Sequence, residues 1–334
     1  RIQSGTNVLQ LAKRNDLWRV AERSDYPADF SKISDLMLKL ADLKVVQSEQ
    51  IGPSQLGRFE LLPPGPATNS GTLVEFKNDS GKTLDTLLLG KQHMQKSPAN
   101  SQFGGMGDGG WPDGRYVMVG TNSGSAAVIS DPLEDVQPQP AQWLNKEFLS
   151  VQKPSSIEVN FPETTNSWKL TRASETNDWQ LADAKAGETL DSTKISSVTS
   201  PFSSVRFDDV SPIKGNDSTN ATDLTVTTFD GFTYVARIGQ KQGDNYPVTF
   251  QISAKLPTKR VAAKDEKPDE KAKLDKAFEA EKARLTEKLA KESKLTNWVY
   301  QLPAYSVEEI LKPRHELLVE PKKEAKPTTT ASKK

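Results

Sequence analysis

The sequence contains no cysteine and only two histidines, His93 and His315. Without cysteine the chain has no disulfide, no thiolate metal ligand and no cysteine nucleophile. Neither histidine has a second histidine or an acid at metal-ligand spacing, so we expect both to be solvated surface residues. The residue types that most often carry metal or nucleophilic chemistry are therefore nearly missing from this protein.

An excess of charge and a long apolar run are also missing. The 44 basic and 44 acidic side chains leave no net charge, whereas a dedicated nucleic-acid-binding protein normally has a basic excess. No stretch of about 18 consecutive apolar residues is present, so the sequence as given contains no membrane-spanning helix. Because it begins at Arg1 rather than methionine, we expect a signal peptide or a membrane anchor to precede it in the full protein.

One short segment of the chain occurs twice. The segment from Asp29 to Ser34 reads DFSKIS, and the segment from Asp191 to Ser196 reads DSTKIS. A tryptophan stands upstream of each copy, Trp18 in the first and Trp179 in the second. An offset of about 160 residues is typical of a duplicated domain and too long for a solenoid repeat.

The predicted fold class is α+β, with two tandem duplicated modules that each combine antiparallel strands and hairpins with one packed helix. The first module is assigned to residues 1–152 and the second to residues 153–320. A charged helix is expected as an insertion at about 266–296 of the second module. Residues 321–334 are rich in lysine, threonine and proline, and this composition predicts a disordered tail.

Helical spacing follows each copy of the repeated segment. In the first module we expect a helix with Asp29 as its N-cap. Its predicted buried stripe consists of Ile33, Leu36, Met37, Leu40 and Leu43. In the second module a helix is predicted over 193–202, although Pro201 should end or kink it. Because large aromatic residues on a hairpin usually pack inward, Trp18 and Trp179 are expected in the core.

No arrangement of residues specifies a catalytic site. The run from Gly105 to Gly110 matches the spacing G-x-G-x-x-G, but it leads into a strand instead of opening a helix, so it does not predict dinucleotide binding. The adjacent acids at 208–209 and 308–309 would not flank one bond if they lay on strands. No G-x-S-x-G motif is present. We therefore expect a protein that is not an enzyme and needs no cofactor or metal.

Two groups of residues are candidates for binding. Phe103 and Trp111 bracket the glycine-rich loop, and Arg115 follows at the start of a strand, so these three form a candidate ligand or partner site. The charged helix of the second module has a narrow apolar seam, which packs either on that module or on a partner helix. The seam consists of Leu274, Phe278, Leu285 and Leu289.

The chain resembles a bacterial family known only as domain of unknown function 4340. The resemblance rests on the Trp18 hairpin, the helix after Asp29 and several strand segments. These segments are Leu87 to Lys91, Arg115 to Val117, Gln142 to Leu144 and Val299 to Pro303. It covers nearly the whole chain, and its motifs are structural, so no catalytic residue carries over.

The resemblance implies a location and a class of partner. Members look like single-pass inner-membrane proteins whose soluble part faces the periplasm, often encoded near gliding-type ABC transporter components. The leading hypothesis is thus a non-enzymatic, extracytoplasmic interaction or scaffold subunit accessory to an ABC-type envelope transport system. The alternative is a binding module for a cell-wall glycan or another envelope ligand, and a hydrolase is the third hypothesis.

Overall fold

The computed structural model describes residues 1–95, 111–120, 124–215, 220–262 and 266–320. The chain divides into two compact units, residues 1–146 and residues 147–334. Both units combine helices with antiparallel sheets, which confirms the α+β class. The predicted tail at 321–334 and the glycine-rich loop lie outside the described residues.

The first unit contains one large sheet, one small sheet and one α-helix. Its strands are β1 (Ile2–Ser4), β2 (Asn7–Leu9), β3 (Leu11–Arg14), β4 (Leu17–Val20), β5 (Tyr26–Pro27), β6 (Val45–Gln50), β7 (Thr72–Lys77), β8 (Thr83–Gln95), β9 (Trp111–Val119) and β10 (Ser125–Ile129), and its helix is α1 (Phe30–Asp42). The large sheet has the order β2-β1-β7-β8-β9-β10-β6, and β3-β4-β5 form the small sheet. All neighbouring strands in both sheets are antiparallel.

Helix α1 begins as the sequence predicts but buries less of its stripe. The Asp29 carboxylate accepts hydrogen bonds from the backbone N–H groups of Ser31 and Lys32, at 3.0 and 3.4 Å, so it caps the helix. Ile33 is buried, whereas Met37 is 50% exposed. The other three residues of the predicted stripe, Leu36, Leu40 and Leu43, are only half-buried. The predicted helix is present, but the other described residues leave the C-terminal part of its apolar stripe partly exposed.

The centre of the large sheet of the first unit is buried on both faces. Leu87, Leu88 and Leu89 are successive residues of β8 and all three are buried, although their side chains alternate between the faces. The face with Leu88 is covered by the segment 51–71, which includes a 3-10 helix, Pro53–Phe59. The buried cluster under this segment consists of Ile51, Leu61, Leu88, Met118 and Ala126.

The second unit is built on an eight-stranded sheet. Its strands are β11 (Pro154–Asn160), β12 (Trp168–Thr171), β13 (Gln180–Leu181), β14 (Asp209–Pro212), β15 (Thr222–Thr228), β16 (Phe232–Ile238), β17 (Asn245–Ala254) and β18 (Trp298–Pro303), and its helices are α2 (Ser192–Ile195), α3 (Pro268–Glu292) and α4 (Ala304–Val307). The order is β13-β12-β11-β15-β16-β17-β18-β14. All neighbouring pairs are antiparallel.

This sheet buries only one of its faces. Buried and half-buried residues alternate along β15, and the same alternation in β16 is broken only at the exposed Arg237. A period of two is the pattern of a sheet with one face on a core and one face toward solvent. On the buried face Phe250 of β17 and Tyr300 of β18 form a cluster with aromatic rings from outside the sheet, with 4.6 to 6.0 Å between the centroids in contact. The rings belong to Phe148, Phe202, Phe207, Phe250 and Tyr300.

Helix α2 is shorter than the predicted helix over 193–202. It ends at Ile195, and turns continue the chain from there. The hydroxyl groups of Ser196 and Thr199 donate to backbone carbonyls of the same segment and so compete with continued helix geometry. Phe202 then adopts a positive φ of 56°, which no α-helix contains. The apolar residues of this segment, Ile195, Val198 and Phe202, are nevertheless all buried.

The expectation that Trp18 and Trp179 belong to the core is wrong. Both rings are only half-buried. The Trp179 ring lies under the guanidinium group of Arg172, with 4.7 Å between the guanidinium carbon and the ring centroid, a cation–π contact at the surface. The buried tryptophans are Trp143 and Trp168, at 4% and 2% exposure.

A buried polar network fixes the C-terminal end of α3. Glu292 is 6% exposed, and its carboxylate accepts hydrogen bonds from the Tyr234 hydroxyl at 2.8 Å and the Ser150 backbone N–H at 3.1 Å. The Lys288 ammonium group forms an ion pair with the same carboxylate. Burial, followed by the neighbouring Glu292 carboxylate, raises the pKa of Tyr234. Because each oxygen of the buried carboxylate is paired, the helix end is held in one register.

Arg314 joins the loop after β13 to the end of the second unit. Its side chain is 7% exposed and forms ion pairs with Asp183 at 2.9 Å and Glu188 at 2.7 Å. The hydrogen bond from Arg314 is the main cause that lowers the pKa of Glu188 to about 2. Charge-assisted, forked contacts of this kind are among the stronger polar interactions in proteins.

We predict that this ion pair makes the second unit sensitive to acid. The pKa of Glu188 is lowered on folding, so its stabilising effect is complete above the ordinary carboxyl pKa and is lost as the pH falls from about 4.5 to about 2. The substitution Glu188→Gln should lower stability near neutral pH and flatten this acid dependence. Urea unfolding between about pH 2.5 and 7 measures both effects, and equal acid slopes in the variant and the wild type would contradict the prediction.

We also predict that Gly90→Ala destabilises the first unit. A Cβ atom at Gly90 would stand 2.3 Å from the backbone oxygen of Phe59 and 2.8 Å from Leu61, so the segment 51–71 would have to move away from the sheet. Overpacking of this kind typically costs about 1–3 kcal/mol. Gly124→Ala is the matched control because a Cβ atom there meets nothing within 4 Å. Chemical denaturation should separate the two variants, and similar midpoints would refute the packing argument.

Candidate functional site

The three residues of the predicted ligand site do not form one site among the described residues. Phe103 lies outside those residues. Trp111 is the first residue of β9, and its side chain is 52% exposed. Arg115 lies four positions along the same strand and lines a cavity that Trp111 does not line.

Arg115 is engaged with backbone carbonyl groups. Its Nε donates to the carbonyl oxygen of Gly90 at 2.8 Å, and one terminal nitrogen donates to those of Pro132 and Leu133 at 3.3 and 3.2 Å. Burial lowers the pKa of Arg115, and the carboxylates of Glu60 and Glu134 oppose that shift. These contacts tie the loop after β10, in which Leu133 has a positive φ of 48°, to the middle of β8.

The cavity beside Arg115 has a volume of about 660 Å³ and a polar lining. Lys91 and Gln92 of β8 lie on one side, and Glu134 and Gln137 lie on the other. The Gln92 side-chain amide donates to the Glu134 carboxylate at 3.1 Å, which links the two sides. The volume lies within the range of small-molecule sites, but the charges of the two signs are interspersed.

His93 has an acidic neighbour that the sequence does not reveal. The register of β8 and β9 places His93 opposite Gly114, and the Nδ1 atom of His93 lies 2.6 Å from a carboxylate oxygen of Asp113. The ring also makes an edge contact with Tyr116, with 5.9 Å between centroids. The pair comes together only through strand pairing, so spacing along the chain could not predict it.

The first unit also contains a groove beside α1. The groove has a volume of about 640 Å³ and lies between the helix and the segment 130–136. Its apolar lining includes the buried Leu133, Val136 and Trp143 and the half-buried Leu36 and Leu43. Leu38 stands at the edge of the groove and is 62% exposed. Sequence reasoning missed this surface because it assigned the helix's apolar stripe to the core.

Further apolar side chains are exposed next to this groove in the chain. They are Phe30, Met37 and Leu38 of α1 and Val45 and Val46 of β6, and all are at least half exposed. Among the described residues, strand β6 is the last strand of its sheet and pairs only with β10. The edge strands of the second sheet are shorter, because β13 has two residues and β14 has four and ends at Pro212. The edge at β6 is thus less protected against an added strand.

The predicted seam on α3 is divided between two environments. Leu285 is buried at 5% exposure, and Leu289 is half-buried near the Glu292 network. Toward the start of the helix, Phe278 is half-buried and Leu274 is 39% exposed. The C-terminal part of the seam therefore packs on the second unit, and its N-terminal end faces solvent.

In the part of the chain that the structure describes, no group of three or more His, Asp or Glu side chains is arranged to hold a metal ion. The described helices are likewise too short or too polar to cross a membrane.

The sequence model of one protein family, described as Domain of unknown function (DUF4340), matches residues 18–230. The match covers more than half of the chain, and the protein belongs to this family. It begins within β4 of the first unit and ends at the turn between β15 and β16 of the second. No curated protein and no solved structure gives a significant match.

We predict that Arg115→Ala destabilises the protein because three backbone carbonyl groups lose a hydrogen bond from a charged donor. The carbonyl of Leu133 keeps the N–H of Val136 as a donor. Hydrogen bonds to charged groups typically contribute about 1.5–3 kcal/mol. The control is Arg14→Ala, whose ion pair with Asp25 is exposed and should contribute less than about 1 kcal/mol. Urea unfolding compares the two variants. An unchanged midpoint for Arg115→Ala would show that the side chain is free for another role.

Proposed function

We propose that this protein is a non-enzymatic interaction subunit that binds a protein partner through α1 and β6. The observation that carries this proposal is the set of large apolar side chains left in solvent between Phe30 and Val46. Single exposed apolar residues are normal, but several in two consecutive elements are typical of an interaction surface. The groove beside α1 adds a concave, apolar part to the same surface.

We infer that the two units arose by duplication of one module. The order β2-β1-β7-β8-β9-β10-β6 corresponds strand by strand to β12-β11-β15-β16-β17-β18-β14. The helix caps also correspond, because Asp191 accepts from the backbone N–H groups of Thr193 and Lys194 at 3.0 and 3.4 Å, as Asp29 does from its own neighbours. The backbone N–H of Asp29 donates to Trp143, and that of Asp191 donates to Leu317.

The duplication supports α1 as the functional element because the two copies differ there. Helix α1 has 13 residues, whereas α2 has four. In the second unit the apolar residues that follow the cap, Val198 and Phe202, are buried. In the first unit the equivalent positions, Leu36 and Leu40, are only half-buried. The exposed Met37 and Leu38 stand where the second unit has Thr199 and Ser200. The first copy thus has apolar side chains in solvent where the second copy has polar ones, which favours a role of α1 in binding.

The proposed setting is the periplasmic face of the inner membrane, with a tether preceding the given sequence and an ABC-type transport assembly as the partner. This part of the proposal rests on the family's general character. The geometry adds that the available surface is apolar and part of a sheet edge, which suits a protein partner.

Ligand binding is the second candidate function. The polar cavity beside Arg115 favours it, because cavities of this volume with converging polar groups commonly hold small molecules. A cell-wall glycan or another envelope ligand is the proposed class. A hydrolase is the third candidate, and its one support is the hydrogen-bonded pair of His93 and Asp113.

We expect a photo-crosslinking side chain at position 38 to capture a subunit of an ABC-type transporter in cells that produce the natural protein. Leu84 provides the control position because it is exposed to a similar extent, 67% against 62%, and lies on β8 away from α1. Mass spectrometry of the crosslinked products identifies the partner. Equal recovery at both positions, or none at position 38, would contradict the proposed surface.

A further inference from the structure

The groove beside α1 carries an uneven distribution of charge. Two lysines and four aspartates line it, so the acidic groups are in excess; they are Lys32, Lys39, Asp35, Asp42, Asp131 and Asp135. Both lysines are engaged within the unit. The Lys32 ammonium group donates to the carbonyl oxygen of Gln142 at 2.8 Å, and that of Lys39 lies 3.4 Å from the Asp135 carboxylate.

Two of the aspartates have no such partner. Within the described residues, neither Asp35 nor Asp42 forms a hydrogen bond or an ion pair through its carboxylate, and both are exposed. Asp42 is the last residue of α1, where the helix dipole disfavours a negative charge. A cation from outside the unit would therefore find an uncompensated carboxylate beside an apolar groove.

We propose that the groove binds a short basic amphipathic segment of a partner protein, with its apolar side chains against Leu36, Leu38 and Leu43 and a lysine or arginine beside Asp35 and Asp42. The inference rests on the proposed interaction function and specifies the chemistry of the partner. A groove that runs along a helix suits an amphipathic helix whose apolar residues recur at intervals of three and four. The acidic groups then select partners by charge.

The charge of the groove also favours a basic segment over two other occupants, a second copy of the chain and a membrane surface. A second copy of the chain would bring the same acidic groove toward the first, so like charges would meet at the contact. A membrane surface rich in anionic lipid would be repelled by Asp35 and Asp42. A basic segment is the occupant that offsets the excess of negative charge.

The test uses three synthetic peptides of about 18 residues, long enough to form a helix on binding. All three carry leucine at the same helical spacing, and their polar positions hold lysine, glutamine or glutamate. Fluorescence anisotropy with the whole chain should give the tightest binding for the lysine peptide and the weakest for the glutamate peptide. The preference for lysine should decrease as salt is added.

Two substitutions locate the binding, each with a matched control. Leu38→Ser should lower the affinity for the lysine peptide by roughly tenfold because an apolar contact is lost. Leu84→Ser should leave that affinity unchanged. The double variant Asp35→Asn with Asp42→Asn should lower the affinity for the lysine peptide about three- to fivefold and leave the affinity for the glutamine peptide unchanged. The change Asp79→Asn, in an exposed hairpin turn, is its control. Unchanged urea midpoints establish that each variant is folded.

Several results would overturn the inference. These are a lack of binding by the lysine peptide, equal or tighter binding of the glutamate peptide, and affinities that Leu38→Ser does not alter. A wild-type dimer that Leu38→Ser converts to a monomer would identify a second copy as the occupant. If crosslinking at position 38 captures a transporter subunit while the lysine peptide does not bind, the charge selection is wrong and the interaction function stands. If the lysine peptide binds while position 38 captures no partner, the charge selection stands and the proposed interaction with a transporter subunit is wrong.

Discussion

In each unit a later segment of the chain returns to the start of the helix and accepts a backbone hydrogen bond from the N-cap residue. The placement of the helix depends on this hydrogen bond. The N–H group of Asp29 donates to the carbonyl of Trp143, and that of Asp191 donates to Leu317. A lysine one turn into each helix donates to a carbonyl of the same returning segment, from Lys32 to Gln142 and from Lys194 to Leu318, across 110 and 124 residues of chain. Because the aspartate side chain caps the helix at the same point, tertiary closure and helix initiation depend on one residue.

The large sheets of the two units differ in how many of their faces are buried. In the first unit the strand with three successive buried leucines must be covered on both faces, and the segment 51–71 supplies the second cover, with Gly90 allowing its close approach. In the second unit alternating burial leaves one face of the sheet to solvent, and the extra chain length is used for α3 instead. The anchor at Glu292 holds that helix by buried polar contacts with β16 and Ser150.

Local signals in the sequence were sufficient for the Trp18 hairpin and the Asp29 cap. Strands β3 and β4 pair across a short turn, and the Asp29 carboxylate accepts from residues two and three positions along the chain. Burial was predicted less well, because it depends on what lies opposite. Trp18 and Met37 were both expected in the core, yet Trp18 is only half-buried and Met37 is exposed. The pairing of His93 with Asp113 and the groove beside α1 result from strand register and from the path of a later loop, which no local pattern encodes.

The exposed strand β6 has a consequence for how the protein behaves when it is alone. An unprotected edge with two exposed valines can add a strand from any chain, including another copy of itself. Shorter edge strands and Pro212 reduce this risk in the second unit. If a partner covers β6 as proposed, the balance between production of this protein and of that partner would bear on its solubility in the cell, as well as on how much of the complex is formed.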